Sequence, residues 1–288
     1  MCEQKLRTLE ERLREYAKCD VCIAFSGGID SSLILKLISR YAKENGTQVY
    51  AVTFDTKLHP RADVLIAKQV AEECGATHII LTVDETKNPA ILNNPVDRCY
   101  YCKKYLFETL INWAKKQNIE VVMEGTNADD LGMYRPGIRA VRELMVKSPL
   151  MEANLSKDEI RIIARKFNLS VANRPSQPCM ATRLPYNTNI NFEVLQTLDE
   201  GEVYLRNLGF VIVRLRLHGE ILRIEIESDQ FSLFLEKRLV IIEKMKQLGF
   251  DYITLDAEGF RSGSMDIHIM KEERTRIEHS SVEMGQVK

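Results

Sequence analysis

Apolar residues recur along this chain in two rhythms, and the places where the rhythm changes outline the elements. At the start, Leu6, Leu9, Leu13 and Tyr16 fall on one face of a helix. Continuous apolar runs follow at 21–25, 49–54, 78–83 and 120–123, and they read as strands buried on both sides. Helical stretches separate them. One ends near Asn45-Gly46, a C-cap signal; a second covers 62–74 and closes on Gly75; a third covers 105–116. Strand–helix alternation of this kind predicts an α/β fold with a doubly wound parallel sheet. Ligands in such sheets lie beyond the carboxyl ends of the strands. The loops after Phe25, Phe54, Val83 and Glu124 are therefore expected to line one site.

Ser156-Lys157-Asp158-Glu159 has capping-box spacing, and it opens a helix carrying Ile160, Ile163, Ala164 and Phe167. A connector with three prolines spans 173–186, and we place the domain boundary there. The rhythm then changes to helix (192–208), strand (211–217), strand (221–227), helix (230–247) and strand (252–255), a smaller α+β domain. The expected division is 1–180, 181–271, and a charged tail at 272–288 expected to be disordered.

The chain of 288 residues is 45% hydrophobic and 28% charged, with a formal net charge of −1. That balance sets up no global field toward nucleic acid or membrane. The first residues lack the apolar core of a signal peptide, and no apolar stretch reaches the length of a spanning helix, so a cytoplasmic protein is expected. There the seven cysteines act as thiols, metal ligands or catalytic groups in preference to disulfides.

The densest chemistry is Ser26-Gly27-Gly28-Ile29-Asp30-Ser31-Ser32, between the first strand and its helix. Two glycines let backbone N–H groups close on an anion at a helix N-terminus. The hydroxyls of Ser26, Ser31 and Ser32 can donate to phosphate, and Asp30 can cap the helix or help hold magnesium. No Gly-Lys-Ser/Thr ending is present, which excludes a Walker A loop. Asp129 and Asp130, in the loop after the fourth strand, either help bind magnesium or cap the next turn.

Cys99 and Cys102 form a C-x-x-C pair, and Cys179 follows in the connector. Three thiolates suit a cubane with one open iron. Structural zinc or three unrelated thiols are the alternatives. Cys22 and Cys74 read as core, and Trp113 reads as core rather than as a stacking platform. On the strand at 211–218, Arg214 and Arg216 share one pleated face. They can grip a phosphate or carboxylate; taken alone, a solvated face pairing with Glu225 and Glu227 explains them better.

The phosphate loop, Arg98 to Lys103, Glu124 to Asp130, Tyr134 to Gly137, Ser148-Pro149-Leu150, Pro178-Cys179, Val213 to Gly219 and Glu258 to Met265 occur in one order. In that order they resemble the LarE family of ATP-dependent sulfur transferases, from about Leu6 to Met265. The loop itself is similar to the SGGxDS loop of the wider PP-loop ATP pyrophosphatases. The resemblance implies an adenine nucleotide alpha hydrolase-like domain followed by a substrate-binding and oligomerisation domain. It implies adenylation of a carboxylate on a pyridinium-3,5-dicarboxylate mononucleotide, then conversion to a thiocarboxylate. This belongs to assembly of the nickel-pincer nucleotide, the lactate racemase cofactor.

Residue by residue, the resemblance assigns Ser26, Gly27, Gly28, Asp30, Ser31, Ser32 and Gly125 to ATP. It assigns Arg214 and Arg216 to the substrate phosphate, and Cys179 and Arg183 to the sulfur-bearing loop. Glu202 and Asp229 correspond to magnesium ligands. Family members with one cysteine give up its sulfur; those with three bind a 4Fe-4S cluster thought to carry sulfide. Cys99, Cys102 and Cys179 place this chain with the second kind. The connector reads Met180-Ala181-Thr182-Arg183 where Leu-Ala-Ser-Arg is expected, a conservative departure. The implied partners are the mononucleotide, a sulfide or other sulfur donor, and further copies of the chain. A cluster-dependent tRNA thiolation enzyme of the same fold is the alternative. The net charge and the lack of a basic, aromatic-interleaved stretch count against it.

Overall fold

The computed structural model describes residues 2–175, 177–267 and 269. The expected tail at 272–288 lies outside them. The chain divides into two compact units, Met1–Cys179 and Met180–Lys288.

The first unit begins with α1 (Cys2–Tyr16), β1 (Val21–Ala24), α2 (Ile29–Asn45), β2 (Val49–Asp55), α3 (Arg61–Cys74) and β3 (Thr77–Thr82). A short α4 (Pro89–Leu92) leads to α5 (Arg98–Lys116) and β4 (Val121–Met123). Then come α6 (Gly137–Glu143), α7 (Pro149–Glu152) and α8 (Lys157–Lys166). All four strands are parallel, in the order β3-β2-β1-β4. The chain winds from β1 outward to β3 and then returns to the other side of β1. The switch point is therefore the crevice between the carboxyl ends of β1 and β4.

The strand period of two sorts residues between two layers. Val21, Ile23, Val49 and Ala51 pack with Leu9, Leu13, Leu33, Ala67 and Ile163, so α1, α2, α3 and α8 cover one face. Cys22, Val52 and Val122 pack with Phe107, Leu110 and Val141, so α5 and α6 cover the other. Trp113 packs on this second layer, edge to face with Tyr50. Gly46 and Gly75 close α2 and α3 in the left-handed conformation, and Ser156 with Glu159 forms the complete capping box of α8.

Two local expectations change. The helix expected at 105–116 begins at Arg98, because Tyr100, Phe107, Leu110 and Ala114 continue one buried stripe back through the C-x-x-C segment. Both cysteines of that pair are therefore helical. Asp30 does not cap α2: Gly28 occupies the N-cap position, and Asp30 lies inside the first turn.

The second unit contains α9 (Phe192–Asn207), β5 (Val213–His218), β6 (Ile221–Ile226), α10 (Phe231–Gln247) and β7 (Tyr252–Leu255). Its sheet has the order β5-β6-β7, with β5 and β6 antiparallel and β6 and β7 parallel. The strand expected from 211 starts at Val213, since Val211 N instead donates to the Gln230 side chain at 3.0 Å.

Candidate active site

The phosphate loop leaves β1 at the switch point. Gly27 has φ +65°, and a Cβ there would lie 2.9 Å from the backbone N and Cα of Ala67 on α3. Both the dihedral and the close approach require glycine. The three hydroxyls divide. Ser26 is exposed, Ser31 donates to Gly28 O at 3.2 Å, and Ser32 is fully buried with its oxygen unpartnered. From β4, Gly125 comes so near that a Cβ would sit 3.0 Å from Ser31 N. The fold thus brings together the loop residues and Gly125, which stand nearly a hundred positions apart in the chain.

Charged groups line the same crevice. Asp30 Oδ1 accepts from Asn127 Nδ2 at 3.4 Å, and Asp30 Oδ2 is ion-paired with Lys157 Nζ. Burial raises the Asp30 pKa, with Lys157 acting in the opposite direction. Asp130 caps the turn by accepting from Asn127 N at 3.1 Å, while Asp129 accepts from Lys157 N at 2.8 Å. Glu124 is buried and accepts from Lys103 Nζ (2.9 Å), Ser148 Oγ (2.6 Å), Thr126 Oγ (2.7 Å) and Thr126 N (2.9 Å). Burial opposes its ionisation, but Lys103 and the two hydroxyls outweigh that and hold its pKa below 4.5. Lys103 follows Cys102 on α5, so this network ties the cysteine helix to the loop after β4.

Cys99 is exposed and Cys102 half-buried on the first turns of α5. Arg98 Nη2 lies 3.4 Å from Cys99 Sγ. The Cys102 thiol is pushed well up, first by burial and then by the nearby sulfurs of Cys179 and Cys99 together with Glu85. Cys99 and Cys179 therefore both lie within electrostatic reach of Cys102. Among the described residues, no three His, Cys, Asp or Glu side chains converge tightly enough to hold a single metal ion. A Cβ on Gly137 would lie 2.9 Å from Lys103 Cδ and 3.3 Å from Cys99 O, so α6 packs directly on the C-x-x-C turn.

In the second unit, the face of β5 carrying Arg214 and Arg216 is buried, not solvated. Arg216 donates to Glu225 Oε1 (2.7 Å), Thr182 O (2.6 Å) and Ser264 Oγ (3.0 Å). The pairing with Glu225 is present, but inside the unit. Arg214 stands over the Phe260 ring at 5.4 Å, and its pKa falls to about 10, through burial first and then the neighbouring Arg183. Arg183 is fully buried in a forked ion pair with Glu202, at 2.7 and 2.9 Å.

Glu202 is buried in an ion-pair network. Its two oxygens accept from Arg183 twice, from Leu215 N at 3.0 Å and from Arg206 Nη1 at 3.2 Å. Two guanidiniums and a backbone N–H thus engage this buried carboxylate. Asp229 is exposed, in the turn Ser228–Gln230. Arg183 donates to both oxygens of Glu202.

Lys157 and Lys103 were not legible as site residues. One signal did exist for Lys157. A lysine in the first turn of a helix opposes the helix dipole, and such a residue needs a carboxylate partner from elsewhere.

Comparison with known proteins adds to this geometry. The asparagine synthase family model matches residues 7–151. The chain is 36% identical over 268 residues to an uncharacterized protein of Synechocystis sp., covering 92% of this chain and 98% of that one. It is 34% identical over 268 residues to the pyridinium-3,5-bisthiocarboxylic acid mononucleotide synthase of Lactiplantibacillus plantarum, covering 93% and 95%. A tRNA-specific 2-thiouridylase of Rickettsia africae is 25% identical over 194 residues, covering 54% and 52%.

Proposed function

Because this chain belongs to the LarE family of PP-loop, ATP-dependent sulfur transferases, we propose that its substrate is a pyridinium-3,5-dicarboxylate mononucleotide and its product the thiocarboxylate used in nickel-pincer nucleotide assembly. The observation that carries this reading is the cluster of buried guanidiniums in the second unit. Among the described residues, the guanidiniums of Arg183, Arg214 and Arg216 are buried together with the carboxylates of Glu202 and Glu225. A mononucleotide phosphate is an anion that such a cluster of guanidiniums would attract and grip.

The chemistry takes two displacements. A substrate carboxylate oxygen attacks the α-phosphorus of ATP, and the bond to the bridging oxygen breaks with its electron pair leaving on pyrophosphate. Hydrosulfide then attacks the acyl carbon, AMP departs with the second electron pair, and one proton is released. Adenylation matters because a carboxylate oxygen is a poor leaving group and AMP a good one. Ser26, the N–H groups after Gly27, and the α2 N-terminus would hold the phosphates, with Asp30 directed to magnesium. The buried, unpartnered Ser32 hydroxyl lies in the same helix turn and is a donor in reserve.

Cys99, Cys102 and Cys179 would be the ligands of a 4Fe-4S cluster. Cys99 and Cys102 stand on the first turns of one helix and Cys179 acts electrostatically on Cys102, and three thiolates are the ligand set that leaves one iron of a cubane open. Such a cluster, when bound, would leave one iron open to hold sulfide. Sulfide or another donor would restore it between turnovers, and the protein would act as a homo-oligomer.

Anaerobically reconstituted protein should bind about four irons and four sulfides. With ATP, magnesium and the dicarboxylate mononucleotide, it should release AMP and pyrophosphate. Mass spectrometry should find one oxygen replaced by sulfur in the product and Cys179 unchanged. Stoichiometric zinc without a cluster, or conversion of Cys179 to dehydroalanine after one turnover, would overturn the cluster reading. Among the described residues no helix is long and apolar enough to cross a membrane. Steeply salt-dependent tRNA binding would favour thiolation of RNA instead.

A further inference from the structure

Lys157 stands out among the side chains of the switch-point crevice because its ammonium, among the described residues, pairs with a residue the nucleotide needs. Its ammonium is ion-paired with Asp30 Oδ2, and the two side chains keep 26% and 22% of their exposure, so solvent reaches both. Its backbone is fixed: Ser156 caps α8 immediately before it, and its own N–H is held by Asp129 Oδ2 at 2.8 Å. A long, flexible stem on a fixed backbone can deliver its charge to more than one place. Arg174, also at the loop, is more tightly held. Arg174 is held by Gly27 O at 3.2 Å and by Asp63 Oδ1 at 2.5 Å. Asp30 has a second hydrogen bond, from Asn127, which holds its carboxylate at the loop whatever Lys157 does.

We propose that Lys157 is a positioning residue that exchanges partners when magnesium and nucleotide bind, passing from Asp30 to a pyrophosphate oxygen and leaving Asp30 to the metal. This rests on the reading of the Ser26–Ser32 loop as the ATP site. The exchange keeps every charge paired. Without ligand the ammonium neutralises Asp30; with ligand the metal takes Asp30, and the ammonium takes one of the negative charges the phosphates bring. Magnesium suits this place, since it needs only one or two protein carboxylates beside phosphates and water. During adenylation the electron pair of the broken Pα–O bond ends on pyrophosphate. Lys157, already turned to it, stabilises the charge where it develops.

The test uses the full chain and two probes that need no turnover. Mn2+ binding without nucleotide is followed by electron paramagnetic resonance, and pyrophosphate binding with saturating Mg2+ by calorimetry. In Lys157→Met, Mn2+ should bind more tightly, because its rival for Asp30 is gone. Pyrophosphate should bind about tenfold or more weakly, because a charge-assisted hydrogen bond is lost. Lys157→Arg should restore most of the pyrophosphate affinity. In Asp30→Asn, metal-free pyrophosphate should bind more tightly than in the wild type, because Lys157 is released. A merely structural ion pair predicts that both probes weaken together in Lys157→Met, and that result, or no change in either, would overturn the proposal. If Lys157→Met does not fold, the Asp30→Asn arm decides alone. If pyrophosphate fails to bind the wild type with Mg2+, the ATP-site reading itself falls; if it binds and the variants match the wild type, only the exchange falls.

Discussion

At the scale of single residues, the site depends on positions where backbone geometry leaves one choice. Gly27 combines a positive φ with a 2.9 Å approach to the backbone of α3, which no side chain end can relieve. Gly27→Ala should therefore cost about 1–2 kcal/mol from the dihedral alone, with further loss from displaced α3. A lowered urea midpoint and lost ATP binding would register it; unchanged values would refute the reading. The cysteines differ just as sharply. In protein without a cluster, Cys99 is exposed, whereas the Cys102 thiol is pushed up by burial and by its sulfur neighbours. At pH 8, iodoacetamide should label Cys99 faster than Cys102, and it should leave the buried Cys22, whose pKa rises to about 12, unlabelled. Peptide mass mapping over time reads the order directly.

At the scale of elements, helix starts do most of the positioning. Extending α5 back to Arg98 puts the C-x-x-C pair on a helix and Lys103 one residue beyond it, where it reaches Glu124 in the loop after β4. The α8 start works similarly, for its capping box sets the residue that meets Asp30. Ser156→Ala removes the bond to Glu159 N and should cost about 0.5–2 kcal/mol. Because Lys157 is adjacent, this variant should also weaken pyrophosphate binding, though less than Lys157→Met does. An unchanged denaturation midpoint would show that the box contributes nothing.

At the scale of the whole molecule, each unit contains a buried carboxylate held ionised by cations. Glu124 and Glu202 both lie below their ordinary 4.5 despite burial, Glu124 through Lys103 and Glu202 through Arg183. A carboxylate whose pKa is depressed by folding contributes stability above its unfolded value and loses it as pH falls through the folded one. Stability should therefore hold down to about pH 4.5 and decline below it, and Glu124→Gln should flatten that decline. Urea melts across this range provide the check. Glu202→Gln should be severe at neutral pH, because it leaves Arg183 buried against a neutral group; a loss of about 3–5 kcal/mol is expected. The magnesium dependence of whatever remains folded should not change, which separates its ion-pair role from a metal-ligand role.

The α/β alternation, the switch-point loops and the cysteine spacing were legible in the sequence because they are local. Period two, period 3.6 and glycine's backbone freedom act over a few residues, whatever the rest of the chain does. Gly125 and the order of motifs were legible only through resemblance. What tertiary packing decided are the pairings between distant residues. Asp30 meets Lys157 across 127 positions, and the arginine face of β5 is buried with Glu225 rather than open to water. Glu202 is paired with Arg183 and Arg206. Charge in a sequence has a sign but no neighbour. Whether a carboxylate binds a guanidinium, an ammonium or an ion depends on which side chains the fold carries to it and how much water it leaves behind.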